Sequence, residues 1–216
     1  SPKLDKITAI LLLDINIFWL LLFNIYYIYF YMKTMKKNLD NYRVYLRNIK
    51  KSDINNGWLD WINNLDALDN LFATFPITEK DLKNYFNLQK LPNSIMFAIC
   101  LKENDEYIGN ARLGNIDWIN KCSTYGRLIG EKKYKSIGLG SEALILLLNY
   151  GFRTLGLNRI ASSALVTNKI SIKSNLKIGM KKEGILRKAS FKNGRYVDRL
   201  QLSMLRTDYE KKYKKK

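Results

Sequence analysis

The sequence predicts a mixed α/β layer fold built on one sheet, and three observations carry that reading. Short alternating apolar segments recur through residues 42–205 and are separated by longer helical patterns. Helix-start and helix-stop residues bracket those patterns. No repeat or low-complexity linker interrupts residues 40–209, so one domain is expected there.

Taken in order, 42–49 (YRVYLRNI) alternates and predicts a first strand. Ser52 and Asp53 are expected to cap a helix through Trp58 and Trp61. Thr78-Glu79-Lys80-Asp81 resembles a capping box opening a second helix near Leu82, Tyr85 and Phe86. Residues 94–101 (SIMFAICL) read as a buried strand, Asn104-Asp105 as a turn, and 107–116 as the returning hairpin partner. A strand at 124–130 follows, then a strongly apolar helix at 139–155 closed by Gly156. Residues 159–166 predict a strand and 169–178 a short helix closed by Gly179. The last strands, 180–191 and 196–205, meet across Asn193-Gly194, a strong hairpin signal.

Composition narrows the chemistry. The chain has 216 residues, 47% apolar and 26% charged, which is globular material. It has no histidine, which excludes a Ser-His-Asp triad, a Cys-His pair and an imidazole metal site. Cys100 and Cys122 form no C-x-x-C, so no zinc knuckle is expected and both read as free thiols of a cytoplasmic protein. The formal charge is +18, but lysine is spread along the chain with no basic stripe interleaved with aromatics. That distribution predicts no specific nucleic-acid partner, and an enzyme handling an anionic cofactor gains from the same field. Residues 210–216 (EKKYKKK) read as a frayed basic tail.

Residues 7–32 carry one formal charge, Asp14. As a helix they would span about 39 Å, enough for a bilayer core of roughly 30 Å. Two readings of 1–34 stand: a membrane anchor with the domain in the cytoplasm, or sequence upstream of a start at Met35.

The stretch 128–142 (LIGEKKYKSIGLGSE) bears the chemistry. A strand runs into a loop with Gly138 and Gly140, and a helix begins. Amides gathered at a helix N-terminus, with the helix dipole behind them, suit a phosphate or pyrophosphate. The spacing matches neither a Walker loop nor a Rossmann fingerprint.

Lys135-Ser136-Ile137-Gly138-Leu139-Gly140 resembles the Q/R-x-x-G-x-G/A acetyl-CoA motif of the GNAT acetyltransferase superfamily. The surrounding string YKSIGLGSEALILLLNYGFRTLGLNRI is similar to the RimJ/RimL-like branch. So are NKISIKSNLKIGM downstream, the closing hairpin EGILRKASFKNGRYVDRLQLSML, and YIGNARLGNIDW upstream. The resemblance covers about 41–209 and implies the GNAT fold, a mostly antiparallel sheet with splayed central strands flanked by helices. It implies acetyl-CoA as co-substrate without a metal, and acetyl transfer to a primary amine by direct attack.

On that resemblance, the pantetheine arm of acetyl-CoA pairs with Leu128, Ile129 and Gly130. The pyrophosphate rests on the amides of Ser136, Ile137, Gly138, Leu139, Gly140 and Ser141, Lys135 adds charge, and Asn168 bonds the arm. Read by itself, Asn168 is also a helix N-cap. The family often has a tyrosine where Asn175 stands, as acid toward the thiolate, with Ser171 or Ser174 as further candidates. Many relatives carry a carboxylate near Thr124, which leaves Glu131, Asp117 and Tyr125 as candidate proton acceptors. Asn175, Glu131 and Ser171 are therefore the expected catalytic set. Trp58, Trp61, Phe72, Phe75 and Arg187 are candidate lining residues of the acceptor cleft. A small amine or an amino sugar nucleotide is favoured over a protein N-terminus, a non-catalytic CoA-binding module is the remaining alternative, and monomer and homodimer are both open.

Overall fold

A computed structural model describes residues 41–70, 76–89 and 91–213. The hydrophobic segment 7–32, Phe72, Phe75 and the final three lysines lie outside the described residues. The chain separates into two units at residues 42 and 43, and the second carries the fold. Among the described residues no helix is long and apolar enough to cross a membrane.

Seven strands form one sheet: β1 (Val44–Asn48), β2 (Ile95–Leu101), β3 (Tyr107–Asp117), β4 (Cys122–Ile129), β5 (Arg159–Leu165), β6 (Lys181–Lys192) and β7 (Arg195–Leu205). Their order is β1-β2-β3-β4-β5-β7-β6. Every neighbouring pair is antiparallel except β4 and β5. The helices are α1 (Trp58–Asn63), α2 (Leu65–Asn70), α3 (Glu79–Leu88), α4 (Leu139–Asn149), α5 (Lys169–Lys177) and α6 (Arg206–Lys212). All seven strands stand in the expected order, and the fold is the expected α/β class.

Each sheet face is covered by apolar side chains. On one, Met96, Ala98 and Cys100 of β2 pack with Ile54, Trp58, Leu82 and Phe86. On the other, α4 lies against β1, β3 and β4 and buries Leu144, Leu147 and Leu148. At about 1.5–3 kcal/mol per buried large side chain, these two layers supply most of the drive to fold.

Local chemistry explains the boundaries. Thr78 accepts from the Asp81 amide while the Asp81 carboxylate accepts from the Thr78 amide, so the capping box is real. Asn193 and Gly194 take φ of 49° and 76°, the left-handed pair that a type I′ hairpin turn needs. Ser52 and Asp53 do not cap α1. They lie in a 3-10 turn, Lys51–Ile54, because the buried Asp53 carboxylate is held by Arg47 at 2.7 and 2.8 Å and by the Lys50 amide at 2.7 Å. The helix expected through residue 155 stops at Asn149 and widens into one π turn, Tyr150–Thr154. That turn buries Tyr150, Gly151 and Phe152 together, with the Tyr150 ring edge-on to Phe97 at 5.1 Å.

The tail expected to fray is ordered through its first residues. Glu210, Lys211 and Lys212 belong to α6. The Arg206–Glu210 pair spans one turn at 2.7 Å, Asp208 meets Lys181 at 2.7 Å, and Tyr209 is buried. Both cysteines are free, Cys100 buried and Cys122 half-buried.

Candidate active site

The β4–β5 pairing is short. It joins Cys122 to Arg159, Ser123 to Ile160 and Thr124 to Ala161, and then ends. β4 continues to Ile129 and β5 to Leu165, so the two strands part over their remaining length. The parted limb of β4 leads to a 3-10 turn at Lys132–Tyr134 and then to the N-terminus of α4.

The loop before α4 leaves backbone donors open. Among the described residues, no protein group accepts from the amides of Ser136, Ile137, Gly138, Leu139 or Gly140. Ser141 and Glu142 turn their amides back to the Gly138 carbonyl at 2.9 and 3.1 Å. Gly138 caps the helix at φ 98°, and Ser136 holds φ 63°, a conformation few side-chain-bearing residues adopt. Orphan donors at the positive end of an eleven-residue helix are an anion-binding arrangement.

Two arginines shape this loop, and the sequence reading had singled out neither. Arg43, just before β1, reaches the Ile137 carbonyl at 2.7 Å. It also holds both oxygens of Glu142, through Nε at 2.9 Å, Nη2 at 2.6 Å and its own backbone amide at 2.7 Å. Glu142 stands in the first turn of α4, so this clamp neutralises the carboxylate nearest the open amides. Arg127 of β4 donates to the Gly140 carbonyl and, at 3.1 Å, to the Ser174 hydroxyl. Ser174 in turn lies 2.9 Å from the Ser141 hydroxyl. Arg127 thereby ties β4 to α4 and α5 where the strand has no β5 partner. Burial lowers the Arg127 pKa from a very high start. The signal for both is three-dimensional: Arg43 and Glu142 are 99 positions apart, and Arg127 and Ser174 are 47 apart.

Other expected site residues fall where the fold puts them. Leu128, Ile129 and Gly130 end the parted limb, and the Gly130 amide is bound by the Ile108 carbonyl at 2.9 Å. A Cβ on Gly130 would lie 2.1 Å from the Trp61 indole, so only glycine permits that close approach. Beside it is a cavity of about 420 Å³ walled by Trp61, Glu131 and Lys135, with Asp60, Asn64 and two further lysines. Glu131 is exposed and pairs with Lys133 at 3.2 Å. Asn168 caps α5 by accepting from the Ser171 amide at 3.0 Å, and its own amide reaches the Asn70 carbonyl at 3.3 Å. Ser171 sits one turn before Asn175 on α5.

Asn175 is fully buried and accepts from the Tyr125 phenol, while its Nδ2 has no partner among the described residues. Burial raises the Tyr125 pKa, so the phenol stays protonated through neutral pH. Asp117 is brought to a different place. Its carboxylate accepts from the amides of Ile119 and Asn120 in the β3–β4 turn, at 3.0 and 2.8 Å, and those bonds hold its pKa down. Trp58 is a core side chain at 1% exposure, and Arg187 lies exposed on β6. Among the described residues no cluster of three or more acids and cysteines is arranged to hold a metal ion.

The sheet face opposite α4 is polar beside the parting. Ile160 faces the π turn that continues α4, since it is the nearest side chain to a Cβ built on Gly151, so Ser163 faces the other way. Gln201 is its register partner on β7 and shares that face. Ser163 Oγ and Gln201 Oε1 are buried without hydrogen-bond partners among the described residues.

Comparison with known proteins agrees with this architecture. The uncharacterized N-acetyltransferase p20 of Bacillus licheniformis is 36% identical over 113 residues, which is 52% of this chain and 63% of p20. The uncharacterized N-acetyltransferase YnaD of Bacillus subtilis is 28% identical over 135 residues, 61% of this chain and 76% of YnaD. The crystal structure of spermidine N-acetyltransferase from Vibrio cholerae, in complex with CoA and spermine, superposes with a TM-score of 0.72. It is 21% identical, with 77% of this chain and 98% of that one covered, and it supports the fold. The model of the acetyltransferase (GNAT) domain matches residues 43–181, well over half the chain, and the protein belongs to the GNAT acetyltransferase family.

Proposed function

We propose that the chain is an acetyl-CoA-dependent N-acetyltransferase of the RimJ/RimL-like branch, acting on a small primary amine. One observation carries the reading: a run of unclaimed amides, Ser136 to Gly140, at the N-terminus of α4 where β4 has left β5. These residues fit CoA. The amides and Lys135 meet a pyrophosphate, Ile129 offers ladder groups to the arm while Leu128 and Gly130 on either side turn theirs to β3, and Asn168 stands beside the far limb.

Acetyl-CoA supplies an activated acyl group. A neutral amine attacks the thioester carbonyl and the CoA thiolate departs, so one proton leaves nitrogen and one reaches sulfur. Holding both partners in the parting lowers the barrier by several kcal/mol. Glu131 lines the cavity beside Gly130, at the pyrophosphate end of the parted limb and away from its closed end, so the amine proton passes to solvent water rather than directly to this carboxylate. Asn175 meets Tyr125 of β4, and Ser171 lies one turn before it on α5.

The acceptor we favour is an amino sugar on an anionic carrier. Ser163 and Gln201 offer neutral hydrogen-bonding atoms of the kind that sugar hydroxyls satisfy. A net charge of +18 attracts a nucleotide diphosphate and repels a polyamine. The test monitors thiol release from acetyl-CoA with a nucleotide-linked amino sugar, spermidine and a peptide with a free N-terminus. Release fastest with the amino sugar supports the reading. Release confined to the peptide makes the acceptor a protein N-terminus, and saturable CoA binding without release from any amine makes the chain a binder.

A further inference from the structure

We infer that Tyr125 is the catalytic residue that protonates the departing CoA sulfur, with Asn175 as its positioning partner. The inference rests on the proposed function and adds a residue to it.

The argument begins with where the parting ends. β4 and β5 are paired up to Thr124 and Ala161, so an extended arm lying between the strands can travel no further. From Ile129 back to Tyr125 is four residues, about 13 Å at 3.3 Å per residue. Whatever terminates the arm is therefore delivered to the first unpaired positions, Tyr125 and Ser162. In acetyl-CoA that terminus is the thioester.

Both side chains belong to the face covered by α4 and α5, and the Tyr125 phenol engages Ser162 as well as Asn175. Of the groups at this closed end, the phenol is the strongest neutral acid; a serine hydroxyl and a carboxamide are far weaker. Burial raises its pKa, and the neighbouring Arg127 charge opposes that rise, as do its hydrogen bonds with Ser162 and Asn175. Through neutral pH it holds a proton to give.

Asn175 completes the arrangement. Its side chain is fully buried, yet its Nδ2 has no partner, a cost that a folded protein seldom carries without a use. A half-turn of the carboxamide directs Nδ2 onto the phenol oxygen and frees the phenol O–H toward the strand gap. The step then balances. The C–S bond breaks with its electron pair on sulfur, the Tyr125 proton passes to that sulfur, and the phenolate recovers a proton released by the amine through solvent. An amide N–H on the phenol oxygen stabilises the phenolate that forms.

The test uses the full chain. Tyr125→Phe is expected to lower kcat about tenfold or more, with the KM and calorimetric Kd for acetyl-CoA within about twofold. Tyr125→Phe/Asn175→Tyr, which restores a phenol from the opposite side of the same contact, is expected to regain most of the loss. An acceptor-independent readout follows the ultraviolet absorbance of the CoA thiolate bound to the enzyme. A phenol donor stabilises that thiolate, so the bound thiol ionises at lower pH in the wild type than in Tyr125→Phe. Unchanged kcat, or identical thiol ionisation in the two proteins, overturns the assignment while leaving the acetyltransferase reading intact. Failure of the wild type to bind CoA at all overturns both.

Discussion

Replacing Gly130 with alanine tests whether the wall of the 420 Å³ cavity is built as described. The added Cβ would lie 2.1, 2.2 and 2.6 Å from three atoms of the Trp61 indole, where carbon contacts settle near 3.5–4.0 Å. The indole must therefore retreat by about 1.5 Å. It is backed by the Tyr107 ring, with centroids 4.8 Å apart, and Tyr107 is buried. Overpacking of that kind costs about 1–3 kcal/mol, offset by about 0.4–1 kcal/mol because alanine restricts the unfolded chain. A net loss near 1.5 kcal/mol lowers Tm by about 3–6 °C in a domain of this size. The assay is urea unfolding of Gly130→Ala, Trp61→Ala and the double variant, followed by far-ultraviolet circular dichroism. Trp61→Ala removes the obstacle, so the alanine at 130 should become neutral or stabilising there, with a coupling energy of about 1–2 kcal/mol. Equal cost of Gly130→Ala with and without Trp61, or no cost in either background, refutes the contact.

Two more outcomes follow from the loop and the sheet. Gly138→Asp and Gly138→Asn share the strain of φ 98°, but only aspartate puts a negative charge beside the open amides. Calorimetry should find acetyl-CoA bound at least about tenfold more weakly by the aspartate than by the asparagine variant. Glu183 is held below its ordinary pKa chiefly by Arg159, which it meets at 2.6 Å, and also by the Ser203 hydroxyl at 2.6 Å. A carboxyl with a depressed folded pKa contributes stability above its unfolded pKa, about 4.3, and loses it as pH falls through the folded value. Glu183→Gln should therefore be less stable than wild type at pH 7, and thermal melts at stepwise lower pH should see that gap close.

Much of this architecture was legible in the sequence because local rules agreed with the global fold. Period-two alternation marked the strands, Thr78 and Asp81 marked α3, and Asn193-Gly194 marked the last hairpin. Asp53 misled because a carboxylate that looks like a helix cap was recruited by Arg47 on the preceding strand. The lysine-rich C-terminus hid α6, whose stability comes from the buried Tyr209 and from ion pairs rather than from an apolar stripe. At the site, the glycine-bearing loop was legible from a strand running through Gly138 and Gly140 into a helix, together with its resemblance to the acetyl-CoA motif. Arg43, Arg127 and the Tyr125–Asn175 contact were not, because each joins residues far apart in the chain whose meeting depends on tertiary packing.

The three-residue seam between β4 and β5 has a consequence for how the molecule assembles. β1 through β4 follow one another as successive neighbours, closed by short turns apart from the helical excursion after β1, whereas β5, β7 and β6 form a separate antiparallel group. Each group can zip from contacts close in the chain, and only the seam requires the two to find each other across the α4 crossover. Stopped-flow refolding of seam variants should then show the penalty in how fast the halves dock rather than in how fast either half condenses. The seam that bounds the proposed thioester gap is then expected to be the last joint the chain closes.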